Sequence, residues 1–329
     1  MRVGRSIAGV VVAVCGAAFA QTAIVPDGPR IPSLPEAAFE RIDQALRERA
    51  ASADSADAHF VRGLQATMDP AARIADYAEA YRREPAEILF LASLADACML
   101  RAIPTWAECA ALDPISRWAA RDATNARPRM LLAERARGRG DLAGMREHLA
   151  HAAGLPRFDS YRARGGAAVW RVLAGIPAIA AEPEAPFAAV AIGAARADIA
   201  TVESALVCRR DAPGMTPDAG DACRQVARTM ADRADTFEAR RVGLAILWSW
   251  TDDPAARTRL AGERDALEAA GLACRRAELA LIEGLNRDAG SRAAARAIET
   301  GALEDALSLD EPSACAKLVA RAKEARFLP

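Results

Sequence analysis

The sequence is poor in the residues that most enzymes use for acid–base chemistry and metal binding. Histidine occurs only three times in 329 residues, and aromatic residues make up 5% of the chain. The common catalytic motifs are missing, namely His-Glu-x-x-His, Gly-x-Ser-x-Gly, the P-loop, Gly-x-Gly-x-x-Gly and Cys-x-x-Cys-His. We therefore expect no cofactor and no metal site, and we favour a role that is not enzymatic.

Lysine is scarce too, because Lys317 and Lys323 are the only two, and arginine carries nearly all of the positive charge. The formal net charge is −1, and acidic and basic residues alternate along the whole chain. A surface of this kind attracts neither nucleic acid nor an anionic membrane. We expect no nucleic-acid partner.

A long apolar run without charges occurs only near the first residue. Two arginines precede the apolar stretch at 7–17, and a small-x-small cleavage pattern ends at Ala20. The stretch is shorter than the about 20 residues that span a bilayer. It predicts a signal peptide at 1–20, cleaved before Gln21, and a periplasmic or secreted protein without a membrane span after cleavage.

Cysteine usage favours the same compartment. Cys15 makes a lipoprotein signal the competing interpretation, although Ala-Val precedes it where a Leu-Ala-Gly-like trio is expected. Without Cys15 the cysteine count is even, which is typical of disulfides in an oxidising compartment, whereas buried free thiols are the alternative. The order of the predicted helices favours sequential pairs: Cys98 with Cys109, Cys208 with Cys223, and Cys274 with Cys315.

Helix start and stop patterns recur so often that little room is left for strands. An oxygen-bearing N-cap residue precedes a proline at four places. These are Asp69, Asp113, Thr216 and Asp253. Capping boxes begin at Ser33 and Thr105, and Gly154 and Gly271 are expected to end helices in the left-handed conformation. We predict an all-α fold of about a dozen helices, in which antiparallel hairpins stack as an α-solenoid or helical array.

A proline-rich segment at 176–186 is the predicted domain boundary. Its three prolines prevent a continuous helix, and no strand alternation is present. The chain after cleavage is long enough for about two domains of roughly 150 residues each. We predict an extended segment at 21–32, an N-terminal helical domain at 33–175 and a C-terminal helical domain at 187–329.

Residues 126–156 resemble a tetratricopeptide repeat (TPR). Each part of the repeat pattern has a counterpart here: the packing positions of the first helix, the Gly-Asp turn, the packing positions of the second helix and the terminal proline. They are Leu132, Ala133, Ala136, Gly140, Asp141, Met145, Leu149, Ala152 and Pro156. Residues 86–114 look like a looser copy, and the Trp and Tyr of the pattern are not present. The resemblance implies stacked helical hairpins with a concave surface that binds peptide or protein, and it implies no chemistry.

Two predicted helices are strongly apolar. The helix at 186–208 has one apolar stripe and should pack on a core, and the helix at 236–250 is apolar nearly all round and should be central to one. Trp248 and Trp250 could stack a sugar or bind a partner, but the apolar run before them favours core packing.

The remaining candidates for chemistry are few. His148 and His151 are one helical turn apart beside Glu147, which is half a metal site, but a position in the last helical turn explains them better. Glu203-Ser204 matches the first two residues of lytic transglycosylase motifs, without the residues that should follow. Neither pair identifies a catalytic or metal site.

The sequence therefore favours an interaction or scaffold module of the cell envelope, with an unknown protein or peptide partner. The alternative is an all-helical envelope enzyme that acts on cell-wall glycan or peptide with carboxylates such as Glu203. Two facing carboxylates about 5 to 10 Å apart in a deep pocket would favour glycan cleavage.

Overall fold

The structure, a computed structural model, describes residues 36–99, 107–182, 184–193 and 205–329. The predicted signal peptide, its cleavage site between Ala20 and Gln21 and the segment 21–32 lie outside the described residues, as does Glu203. Within the described ranges the chain is helical without any β-strand, which confirms the all-α prediction, and a single isolated bridge joins Asn125 and Arg157.

The helices follow one another with short connections. The first eight are α1 Glu36–Ser52, α2 Ala56–Gln65, α3 Pro70–Arg83, α4 Ile88–Cys98, α5 Ala107–Leu112, α6 Pro114–Arg121, α7 Ala126–Gly138 and α8 Leu142–Ala153. The others are α9 Arg162–Ala174, α10 Pro177–Ala180, α11 at 185–193, α12 Pro217–Arg233, α13 Phe237–Ser249, α14 Pro254–Leu285, α15 Ala289–Ser308 and α16 Glu311–Glu324, with a 3-10 turn at Leu206–Cys208.

Most successive helices pack on each other, as an array of antiparallel hairpins requires. The hairpins α2/α3, α7/α8 and α12/α13 have the closest packing, and α8 in turn packs on α12. Helix α9 departs from this order, because it contacts α1 and α2, which precede it by several helices, and α15, which follows much later in the chain.

The predicted N-caps explain where several helices begin. Asp69, Thr216 and Asp253 each accept a hydrogen bond from a backbone N–H in the first turn of α3, α12 and α14. Asp113 differs: α6 begins at Pro114 as predicted, but Asp113 has φ 36° and makes no cap bond. Its carboxylate instead accepts a hydrogen bond from Arg135 at 2.7 Å.

The two predicted glycine stops have different outcomes. Gly154 follows the end of α8, but with φ −80° and not in the left-handed region. The prediction for Gly271 is wrong, because α14 continues through it to Leu285. A glycine inside a helix costs only about 1 kcal/mol relative to alanine, and the alanine-rich flanks of Gly271 sustain the helix.

Three clusters of apolar side chains form the interior. The first joins α1–α6 with α9 and α11, the second joins α7 and α8 with α12 and α13, and the third joins α14–α16. Helix α7 belongs to two clusters, since Leu131 and Leu132 lie in the first and Met130 and Ala133 in the second. Side chains from both sides of the segment 176–186 share the first cluster, and the contacts group the described residues as one compact unit.

The three predicted disulfides are present. Cα atoms are 5.7 Å apart for Cys98–Cys109, 5.4 Å for Cys208–Cys223 and 5.1 Å for Cys274–Cys315. Cys274 lies well inside the long helix α14, and Cys315 lies near the start of α16. The bond forms because α14 and α16 pack side by side.

The predicted apolar helices are found in part. Residues 185–193 and Leu206–Cys208 are helical turns of the predicted 186–208 helix, and 194–204 lie outside the described residues. In α13, Leu244, Ile246 and Leu247 are buried, as expected. The prediction that Trp248 packs in the core is wrong, because the exposed fraction of this residue is 41%. None of the described helices combines the length and the apolar character that crossing a bilayer demands.

Candidate ligand-binding cleft

Three connections between helices meet around an open cleft of about 300 Å³. They are the segment 157–164, which leads into and begins α9, residues 233–235, which end α12 and lead to α13, and residues 307–310, which end α15 and lead to α16. Clefts that bind small molecules or short peptides begin at about this volume, and they combine apolar walls with a few polar groups. This cleft is the candidate functional site.

The segment 157–161, which we call the strap, is tied to the start of α7. The backbone N–H of Ala126 donates to the carbonyl of Arg157 at 2.9 Å. The side chain of Asn125, which is fully buried, donates to the Asp159 carbonyl at 2.9 Å and accepts from the Asp159 N–H at 3.0 Å. These bonds fix the strap against the rest of the array.

Tyr161, at the end of the strap, adopts a conformation that non-glycine residues seldom use. Its φ is 59°, in the left-handed region. The phenol donates to the Asp122 carboxylate and accepts from the Trp118 indole N–H at 3.0 Å. Burial, followed by the bond to Asp122, raises the pKa of Tyr161, so the phenol remains protonated and keeps donating. The hydrogen bonds of the buried phenol therefore stabilise the left-handed backbone conformation at Tyr161.

The carboxyl groups of Asp159 and Asp235, which we call the acid pair, lie side by side at the wall of the cleft, where they accept hydrogen bonds from the consecutive N–H groups of Tyr161 and Ser160. Asp235 also accepts from the backbone N–H of Ser160 at 2.9 Å, from its hydroxyl at 2.7 Å and from the N–H of Arg162 at 3.1 Å. Asp159 accepts from the Tyr161 N–H at 2.7 Å. Asp235 thus caps the start of α9 from a distant part of the chain.

The acid pair binds a proton more tightly than an isolated carboxylate does. Burial and then the charge of Asp235 raise the pKa of Asp159 to about 7, against the opposing effect of Arg157. Burial disfavours the charged form, and the negative charge of a neighbouring carboxylate makes ionisation of both groups more costly still. Because the side chain of Asp159 is 28% exposed, solvent and ligands reach it.

Four arginines line the cleft, and three of them have carboxylate partners behind it. Arg157 pairs with Asp122 and with Asp159, Arg162 pairs with Glu311 at 3.1 Å, and Arg164 pairs with Glu87 at 2.9 Å. The fourth, Arg233, donates to the carbonyl of Pro156 at 3.2 Å. Within the described part of the chain Arg233 has no carboxylate partner.

The wall of the cleft at 307–310 is held by hydrogen bonds between the connection before α16 and the connection before α13. The N–H of Glu311 donates to the Asp235 carbonyl at 2.8 Å, and the Glu311 carboxylate accepts from the Phe237 N–H at 2.9 Å. Arg240 donates to Asp310 at 3.3 Å. The connection before α16 is therefore bonded directly to the start of α13.

A buried ion pair lies behind the strap. Arg127 has no exposed surface, and its guanidinium donates to both oxygens of Asp96, at 3.1 and 3.2 Å. The same guanidinium lies 5.7 Å from the ring centre of Trp118. Through Trp118 and Tyr161, polar contacts run from the core to the cleft, and Asp122 links them to Arg157.

The residues singled out from sequence lie elsewhere. His148 and His151 lie in the last turns of α8, as expected; burial lowers the pKa of His148. No group of three or more His, Cys, Asp or Glu among the described residues is arranged to hold a metal. Trp250 donates to the carbonyl of Cys208 at 2.9 Å, and Trp248 is covered on one face by Arg257.

Sequence reasoning missed the acid pair. Asp159 and Asp235 belong to no motif, and they meet only because the connections of distant helices converge. The one local indication is Pro156 followed shortly by Asp159-Ser160, which is typical of a connection between helices. Comparison with known proteins adds no assignment: no protein-family model, no curated protein and no solved structure matches this chain.

Proposed function

We propose that this chain is an exported, TPR-like helical-repeat protein of the cell envelope that binds a protein or peptide segment in the cleft between the strap, Arg233–Asp235 and Leu307–Asp310. The observation that carries the proposal is this cleft, which combines apolar side chains, backbone groups and charges of both signs. Peptides present the same mixture of groups.

The three disulfides support the proposed location in the periplasm or outside the cell. Disulfides persist in oxidising compartments and are rare in a reducing cytosol. The hairpin α7/α8 supports the TPR-like interpretation, because it coincides with the segment 126–156 that resembles one repeat.

Selection from a random peptide library displayed on phage tests the proposal without knowledge of the partner. Ser308 is exposed at the end of α15 in the cleft, so Ser308→Trp should fill the cleft and abolish binding of the selected peptides. Thr300→Trp is the matched control, because Thr300 is exposed on the same helix outside the cleft lining, and both hydroxyls donate to a helix carbonyl four residues earlier.

We expect the selected peptides to bind the wild-type protein and the Thr300→Trp variant equally, and to lose at least about tenfold in affinity for Ser308→Trp. Peptides that bind both variants like the wild type would place the binding surface elsewhere. Failure to select any peptide would contradict the proposed function.

The acid pair is the observation that favours the second candidate, an envelope hydrolase acting on glycan or peptide. One carboxyl would donate a proton and the other would accept one. Both carboxyl groups are engaged in hydrogen bonds to consecutive backbone N–H groups, which holds them side by side and not on opposite sides of a bound glycan, as glycan cleavage requires. Turnover of purified cell-wall material by the wild type, lost in Asp159→Asn, would establish this candidate over the first.

A further inference from the structure

The acid pair needs a positive charge in order to be stable when both carboxyl groups are ionised. The neighbours of the pair supply hydrogen bonds from Ser160, Tyr161 and the Arg162 N–H, and a single ion pair from Arg157 to Asp159 at 2.8 Å. Arg157 is itself shared with Asp122. A proton, or a further cation that takes its place, therefore stabilises these two neighbouring carboxyl groups at the cleft wall.

Arg233, in the same cleft, is a positive charge that has no carboxylate partner among the described residues. It lies two residues before Asp235, and its guanidinium uses one Nη atom for the Pro156 carbonyl. A guanidinium has five N–H donors, so donors remain for a ligand. A carboxylate is the group whose shape and charge fit it best.

We propose that the cleft binds a short zwitterionic peptide, with its N-terminal ammonium group between Asp159 and Asp235 and its C-terminal carboxylate on Arg233. This inference rests on the proposed peptide-binding function and names the ligand class. The other three cleft arginines are neutralised from behind by Asp122, Glu311 and Glu87, so they do not repel the ammonium as bare charges would.

Binding of the ammonium displaces the shared proton. The ammonium keeps its three protons and donates them to the carboxylates, and the proton of the acid pair goes to solvent. Complex formation therefore releases about one proton per site below neutral pH, and affinity should rise as the pH increases through about 7. The charged groups that line the cleft beside the acid pair are Arg157, Arg162, Arg164, Arg233 and Asp310, and Glu311 pairs with Arg162.

A randomised pool of tripeptides is the probe, in three forms: free, N-acetylated and C-amidated. Saturation-transfer difference NMR reports which forms bind the full protein, and isothermal titration calorimetry of the strongest member in buffers of different ionisation enthalpy counts the protons released. We expect acetylation to abolish binding and amidation to weaken it at least about tenfold.

Two isosteric variants separate the two ends of the ligand. Asp159→Asn should bind at least about tenfold more weakly and release no proton, and Arg233→Gln should bind the free and amidated peptides equally. Asp211→Asn and Arg264→Gln, both exposed and away from the cleft, are the matched controls. Circular dichroism checks that each variant is folded, and proton release by the wild type needs no variant at all.

The possible outcomes distinguish a failure of this inference from a failure of the proposed function. Equal binding of the free and acetylated pools, or binding without proton release below neutral pH, overturns the zwitterion assignment. If peptides selected by display still bind in the cleft with both ends blocked, the proposed function stands and only this inference fails. If neither tripeptides nor displayed peptides bind, both are refuted.

Discussion

Asn125 and Asp159 exchange two hydrogen bonds through the side chain of one and the backbone of the other, although 34 residues separate them. The same asparagine oxygen accepts from the Arg127 N–H at 3.1 Å and so caps α7. A single buried side chain thus begins a helix and positions the strap of the cleft.

Replacing Asn125 with alanine should therefore be costly. The Asp159 N–H and carbonyl would lose their partners, and so would the first turn of α7, so we expect the free energy of unfolding to fall by about 2 to 4 kcal/mol. Urea denaturation measures it. Asn286→Ala is the control, since Asn286 bonds only to a carbonyl of its own helix, at 3.0 Å, and its loss should cost under about 1 kcal/mol. Equal losses for both variants would contradict the role of Asn125.

The acid pair should make stability depend on pH between about 4 and 7. The pKa of Asp159 is raised from 3.8 to about 7 in the folded protein, so in this range the folded state binds more protons than the unfolded state. Its contribution to stability is therefore fully present below pH 4 and declines as the pH rises to about 7. Asp159→Asn keeps the neutral form at every pH and should raise the Tm relative to wild type at pH 8 but not at pH 4.

Thermal unfolding at a series of pH values checks this, with Asp211→Asn as the control. Asp211 is exposed, and its hydrogen bond to Arg209 lowers its pKa, so its loss should leave the slope between pH 4 and 7 unchanged. A wild-type Tm that rises across this range, and a variant that follows it, would mean that the two carboxyl groups do not share a proton.

The close crossing of α9 and α11 gives a third prediction. A Cβ atom on Gly193 would lie 2.3 Å from the Gly166 nitrogen, which is backbone that cannot turn away. Gly193→Ala should lower the free energy of unfolding by about 1 to 3 kcal/mol. Gly271→Ala, in the open middle of α14 with nothing within 4 Å of its Cβ position, should instead raise it by about 0.5 to 1 kcal/mol. Denaturant titrations of both variants should therefore shift in opposite directions.

The disulfides should differ in their contributions. Sequence separation is 41 for Cys274–Cys315 and 11 for Cys98–Cys109, and a longer loop restricts the unfolded chain more. The loop-entropy relation gives about 4 kcal/mol for the first and about 3 kcal/mol for the second. Chemical denaturation of the two double-alanine variants checks the order. A larger loss for Cys98/Cys109 would show that packing around the bonds outweighs the loop entropy.

Much of the helical framework was predictable because it depends on local chemistry. A side chain such as Asp69 or Thr216 caps its own helix within three residues, and each disulfide joins neighbouring elements. The failures have one physical origin. Gly271 lacks a local reason to stop α14, and the exposure of Trp248 depends on which helices pack against α13. The acid pair depends on the meeting of three connections that are far apart in the sequence. No local sequence pattern indicates that they meet.

Helix α9 changes how the array responds to force and heat. In an open stack of repeats each unit touches only its neighbours, so either end can peel off without disturbing the middle. Here α9 contacts α1 and α2 and also α15. Fraying of α1 or α2 should therefore weaken the packing of α15 through α9, so that early and late helices unfold together and not one repeat at a time.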